Sequence, residues 1–157
     1  MISGVEARLA DLGITLPAVD PPVASYVPAV VSGNQVYTSG QLPFIDGKLP
    51  ATGKVGAPDG AVDPEAATRI AATCAINALA AIKSQIGDLD RITRIVKVVG
   101  FVASDPSFTG QPAVINGASD LLGAALGDAG IHARSAVGVA VLPLDSPVEV
   151  EIIAEFG

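Results

Sequence analysis

HARSAVGVAVLPLDSPVEVEIIAEFG, residues 132–157, decides how this chain folds. Two β-type runs flank a turn bounded by Pro143 and Pro147. In the first run Arg134, Ala136, Gly138 and Ala140 alternate with Ser135, Val137, Val139 and Val141. In the second, Val148, Val150, Ile152, Ala154 and Phe156 alternate with Glu149, Glu151, Ile153 and Glu155. Period-two alternation marks half-buried strands. The expected pairing is a hairpin turning near Leu144 and Asp145. Val137, Val139 and Val141 then share a face with Val148, Val150 and Ile152, because a one-residue slip splits the apolar face. That register sets Arg134 close to Glu155 and Glu149 close to Ala140. Both ionisable groups fall on the less apolar face, roughly 20 Å apart at about 3.3 Å per residue. No small acid spans that distance, so a ligand touching both would bridge two copies of the chain.

Arg134 is a lone cation whose same-face neighbours are all small, which leaves room above the strand for a ligand. Its planar fork suits a carboxylate, held by two parallel hydrogen bonds. Spacing alone fits a strand-end surface charge, or one paired with a nearby acid, equally well. Glu149 and Glu151 likewise read as surface or interface charges on spacing alone.

Working outward, residues 128–131 return from a helix expected over 111–126, with Val114, Ala118, Leu121, Leu122 and Ala125 inward. Asn116 sits near its start, where it serves equally as a hydrogen-bonding residue of the helix end. Before it, residues 91–103 form a strand rich in Ile and Val, broken by Asp105-Pro106. A longer helix starts at Asp63-Pro64-Glu65, with Asp as N-cap and Pro in the first turn. Its buried stripe is Ile70, Cys74, Ala78, Ile82 and Ile86, and Gly87 ends it. Residues 44–63 read as a loop with a short strand near Leu49. Residues 26–31 and 35–39 form a hairpin about Ser32, Gly33 and Asn34. Gly40 follows, either as a bulge or as a point of close backbone approach. Val5, Leu9 and Leu12 recur at helical spacing up to Gly13, and the proline-rich residues 16–22 form an extended connector.

Composition narrows the functions. The 157 residues carry a net charge of −7, a poor endowment for neutralising phosphates. Two Tyr, four Phe and no Trp offer little base-stacking surface. The single cysteine, Cys74, reads as core, and the single histidine, His132, gives a multi-His metal site little to work with. The mean hydropathy of +0.53 hints at apolar surface buried between subunits. The longest uncharged run, residues 21–45, contains Pro, Gly, Asn, Gln and Ser and is no membrane span. With no signal-peptide layout, a cytoplasmic protein is expected.

Several motifs in order resemble the Rid (YjgF-like) family of reactive-intermediate imine deaminases, also labelled L-PSP endoribonucleases. They are Y-V-P-A-V at 26–30, T-S-G-Q-L-P at 38–43, Asn116, A-R-S at 133–135 with V-x-V-x-x-L-P after it, and V-E-V-E-x-I-A at 148–154. The resemblance covers residues 23–157, leaving 1–22 as an N-terminal helix and connector. It implies an α+β fold of the two-layer chorismate-mutase-like type, a mainly antiparallel sheet with two helices on one face, assembled as a homotrimer with clefts between subunits.

The resemblance also implies hydrolysis of small 2-imino or 2-enamino acids to 2-oxo acids and ammonia, with no metal or organic cofactor. Arg134 would hold the carboxylate and polarise the C=N group. Glu149 would orient or activate the attacking water. Tyr26 would close the pocket and offer a hydroxyl. Ser39, Gly40, Asn116 and Ala136 would line it. Many relatives carry Cys where this chain has Ala136, which implies a larger pocket. A non-catalytic module sensing a small carboxylate or keto acid would use the same Arg134, and a ribonuclease is the remaining alternative.

Overall fold

A computed structural model describes residues 4–20 and 24–157, so the boundary expected at residues 22–23 lies outside the described residues. The helices are α1 (Gly4–Asp11), α2 (Pro64–Ile86) and α3 (Gln111–Leu126). The strands are β1 (Ala29–Ser32), β2 (Gln35–Thr38), β3 (Ile92–Ala103), β4 (Ala133–Val139) and β5 (Val148–Phe156). Local chemistry places the long elements where expected. Asp63 caps α2 by accepting from the Ala66 amide at 2.9 Å, and Gly87 ends the helix at φ +84°. All five residues of the expected α2 stripe are buried, as are the five inward residues of α3. The β1–β2 hairpin closes through Gly33, at φ +61°. Residues 44–63 form only isolated bridges, with no strand at Leu49.

The strands form one mixed sheet in the order β1-β2-β5-β3-β4. Three pairings are antiparallel, but β4 runs parallel to β3. The expected β4–β5 hairpin is therefore wrong, because β3 lies between them. Residues 140–147 carry the chain across the end of β3, with Leu144 and Asp145 at φ 57° and 59°. The physical reason lies upstream. A helix between two strands is the connection that a parallel pair needs, and α3 joins β3 to β4 as such a crossover.

The faces also differ from expectation. Arg134 pairs with Val98, which pairs with Ile152, and Ala136 pairs with Gly100, which pairs with Val150. The side of β4 carrying Arg134, Ala136 and Gly138 thus faces the helices together with Val148, Val150 and Ile152. Val137 shares the opposite, helix-free side with Phe101 and Glu149. Small residues face the helices because α3 packs close. A Cβ on Gly100 would run into Ile115, and one on Gly138 would meet Gln111 Nε2 at 2.8 Å. α3 takes up part of the room expected above the small face of β4, while Gly138 and Ala140 stay exposed along a cleft of about 270 Å³.

The core lies between α2, α3 and the helix-facing side of the sheet, with Val36, Ile95, Val98, Val102 and Ile152 fully buried. α1 joins it through Val5 and Leu9, whereas Leu12 is 52 % exposed, contrary to its helical spacing. The amides of Gly4 and Val5 donate to the Asp90 carboxylate at 2.8 and 2.9 Å, satisfying orphan donors at the start of α1. Arg8 Nε donates to the Ala125 carbonyl at 2.7 Å, and Lys83 pairs with Glu6. The helix expected at the N-terminus thus packs against α3, beside the two helices expected on that face.

Candidate functional site

The structure divides the candidate residues into two groups, one around Arg134 and one around Glu149, and the register puts these two side chains on opposite sides of the sheet. The first surrounds Arg134 at the edge strand β4. Arg134 Nη1 donates to Asn116 Oδ1 at 2.8 Å and to Ser119 Oγ at 3.2 Å, both on α3. An Nη group carries two hydrogens, so these two bonds occupy it. Among the described residues nothing accepts from Nε or Nη2, and no carboxylate pairs with Arg134. The guanidinium is held by neutral acceptors, with the Nε–Nη2 edge left as a parallel pair of donors. Ala136 is half-buried two residues along the same face.

The second group surrounds Glu149. Tyr37 pairs with Ile153, and Gln41 pairs with Val150. Three residues, 38–40, therefore oppose two, 151 and 152, which is a bulge. Within it the Ile152 amide donates to Thr38 Oγ1 at 2.9 Å. Gly40 lies in this bulge against the Glu149 carboxylate, and a Cβ there would collide with Glu149 Oε1. The bulge reading of Gly40 is thus met, and its φ is not left-handed. The Glu149 carboxyl is held above its ordinary value, first by burial and then by the neighbouring Glu151 charge.

Ser39 and Tyr26 belong to this second group through the backbone. The Ser39 hydroxyl donates to the Val27 carbonyl at 2.6 Å, and its amide donates to the Pro28 carbonyl at 2.8 Å. These bonds fix the segment carrying Tyr26, which is 63 % exposed. Tyr26 and Gly40 line a cleft of about 630 Å³, with Gln41, Phe44, Asn77 and the 17–20 segment. Asn77 shapes it by donating to the Leu42 and Phe44 carbonyls at 2.9 and 3.1 Å. The charged residues in its lining are acidic, Asp20 and Asp46. Arg134 and Asn116 are not in it.

Sequence reading missed Ser119 and His132. Ser119 Oγ lies 2.9 Å from His132 Nε2, and His132 Nδ1 lies 2.6 Å from the Gly130 carbonyl oxygen. Two periodicities carried the signal: Asn116 and Ser119 are three apart on a helix, and His132 and Arg134 are two apart along the chain entering β4. Burial pushes the Cys74 thiol well above its usual value, helped by the Glu149 charge, which agrees with a core role. Among the described residues no cluster of three His, Cys, Asp or Glu side chains is placed to hold a metal ion. None of the described helices is long and apolar enough to cross a membrane.

Residues 6–156 match the family described as "YjgF/chorismate_mutase-like, putative endoribonuclease". The chain belongs to the YjgF/chorismate-mutase-like family. It is 46 % identical to Protein TCP17 of Trypanosoma cruzi over 96 % of this chain and 93 % of that protein. The crystal structure of Atu1372 from Agrobacterium tumefaciens, a protein of unknown function, superposes with a TM-score of 0.90 at 49 % identity, covering 98 % of this chain and 93 % of that one. A more distant structure, E. coli TdcF with bound serine, gives a TM-score of 0.60 at 26 % identity, over 90 % and 93 % of the two chains. The α+β architecture is thus that of the YjgF fold, with a mixed five-stranded sheet.

Proposed function

We propose that the chain hydrolyses small 2-imino or 2-enamino acids to 2-oxo acids and ammonia, at sites shared between subunits of a homotrimer. The observation that carries this reading is the Nε–Nη2 edge of Arg134, a carboxylate-shaped donor pair without a carboxylate partner among the described residues. A serine-bound relative supports a small amino-acid-like ligand. Arg134 would hold the substrate carboxylate beside the C=N carbon. Ionised Glu149 would take a proton from water as its oxygen bonds to that carbon and the C=N electrons move to nitrogen. Starting from the protonated imine, Glu149 would return that proton to nitrogen and then take the remaining hydroxyl proton as ammonia leaves and the C=O forms, passing it on to solvent. A carboxyl already held above its ordinary value by burial and Glu151 gives up such a proton less readily than an exposed one and takes it more readily.

Arg134 and Glu149 lie on opposite sides of one sheet, which supports a site completed by a second copy. The helix-free side supports assembly there. Val30, Tyr37 and Val137 are 53 %, 38 % and 44 % exposed on it, an apolar surface of the kind that subunits cover. The serine-bound relative also favours a second reading, a non-catalytic sensor of small carboxylates. A ribonuclease fits poorly with a net charge of −7. The deciding experiment offers the purified protein imines generated in situ by an amino-acid oxidase and follows 2-oxo-acid and ammonia release. Acceleration supports the deaminase. Tight binding of 2-oxo acids without acceleration on several imines supports the sensor.

A further inference from the structure

We propose that Ser119 and His132 are positioning residues for Arg134, fixing one arm of its guanidinium so that the Nε–Nη2 edge is presented to a substrate carboxylate. This rests on the role of Arg134 argued above, and its ground is a chain of hydrogen bonds with a defined direction. The Gly130 carbonyl can only accept, so His132 Nδ1, at 2.6 Å, carries a hydrogen. In the neutral ring Nε2 is then the acceptor, and the Ser119 hydroxyl donates to it at 2.9 Å. The Ser119 oxygen keeps its lone pairs for Arg134 Nη1 at 3.2 Å. Asn116 Oδ1 takes the second Nη1 hydrogen at 2.8 Å.

The far end of this chain is backbone. Gly130 closes the short 3₁₀ turn Gly127–Gly130 and packs against α3 so tightly that a Cβ would overlap the Leu122 backbone. The imidazole is therefore referenced to α3 and the turn, and not to solvent. An arginine side chain is long and loses considerable rotamer freedom when fixed. Holding both hydrogens of one Nη group sets the guanidinium plane and leaves the edge best shaped for a bidentate partner. Without the Ser119–His132 arm, Asn116 alone would hold Nη1 and the plane could swing about that bond. The cost would fall on carboxylate recognition.

The test measures binding of 2-oxobutanoate and of its uncharged methyl ester to the full chain, by calorimetry, in wild type and variants. Ser119→Ala and His132→Phe should each weaken binding of the acid about ten-fold, the scale of one hydrogen bond to a charged group, and leave the ester unchanged. The double variant should be no worse than Ser119→Ala, because the imidazole acts only through the hydroxyl. His132→Gln should recover most of the affinity, since its amide oxygen can accept from Ser119. In wild type, nitrogen NMR should find the ring as the Nδ1–H tautomer. Arg134→Ala binding the acid like wild type would sink the reading of Arg134 itself. Arg134→Ala losing binding while Ser119→Ala and His132→Phe keep it would overturn the positioning role alone. So would equal losses for acid and ester, or an Nε2–H tautomer. If His132→Phe fails to fold, Ser119→Ala, which removes one oxygen, decides.

Discussion

Arg134 and Glu149 sit on opposite faces of one sheet, with β3 between their strands. Arg134 pairs through Val98 to Ile152, three residues from Glu149. Two strand spacings of about 4.8 Å and three residues of about 3.3 Å put their Cα atoms roughly 14 Å apart. The hairpin register gave a longer distance on a shared face. The conclusion that one small acid cannot touch both within a chain survives, for a different reason: the sheet itself stands between them.

Complementation follows from this. In the proposed homotrimer, Arg134→Ala and Glu149→Ala proteins should each be inactive. Unfolded together and refolded as an equal mixture, they should regain activity. In a cyclic trimer random mixing gives about three-quarters mixed assemblies, each with one intact site in three, so roughly a quarter of wild-type activity should return. No recovery in assemblies shown by mass spectrometry to be mixed would place the site within one chain, or remove Glu149 from it.

Arg134→Lys discriminates a fork from a charge. Lysine keeps the cation but cannot present two parallel donors. We expect Arg134→Ala to lower kcat/KM on imino acids about 100-fold or more, with Arg134→Lys close to it. Wild-type kinetics in Arg134→Ala would end the assignment. Near-wild-type Arg134→Lys would mean that only charge is read.

The long elements were legible because each has a local chemical signature. Asp63-Pro64-Glu65, the five-residue stripe spaced four apart from Ile70 to Ile86 and the Ile/Val run before Asp105-Pro106 need no tertiary information. The neighbour of β4 was not legible from its own alternation, which fits either partner strand. Only the intervening α3 told for β3, by the crossover rule. Face assignment failed with it. Small residues at 136 and 138 looked like ligand room, yet close packing of a helix demands the same residues. Arg134, Asn116, Gly40 and Glu149 stood out through the motifs. Ser119 and His132 did not, because an i, i+3 helix pair meets an i, i+2 strand pair only once α3 lies on β4.

Gly40→Ala tests the second group by one methyl. The added Cβ occupies the position of the Glu149 carboxylate, and the Gln41–Val150 bridge holds the backbone nearby. The carboxylate must therefore move. The group displaced is the end of a flexible side chain, so the cost in stability should be small. Activity should fall while the protein stays folded at 25 °C by circular dichroism. A Gly40→Ala protein with wild-type activity and melting temperature would show that the Gly40–Glu149 contact matters to neither.

Glu149 should also leave a signature in the pH dependence of stability. Its pKa in the fold lies above its ordinary 4.5, through burial first and Glu151 second. The folded state therefore binds this proton more tightly than the unfolded chain does. The contribution to stability is fully present below the ordinary value and is lost as pH rises through the raised one. Replacing the carboxyl by an amide removes that loss. Glu149→Gln should be more stable than wild type at pH 7, and the two should converge as pH falls towards 4. Glu151→Gln should shift the wild-type transition to lower pH, because it removes the like charge. Denaturant midpoints across pH 4–8 make the comparison. A Glu149→Gln protein less stable than wild type at pH 7 would mean that the ionised carboxylate is stabilised in the fold, by contacts that outweigh burial and Glu151.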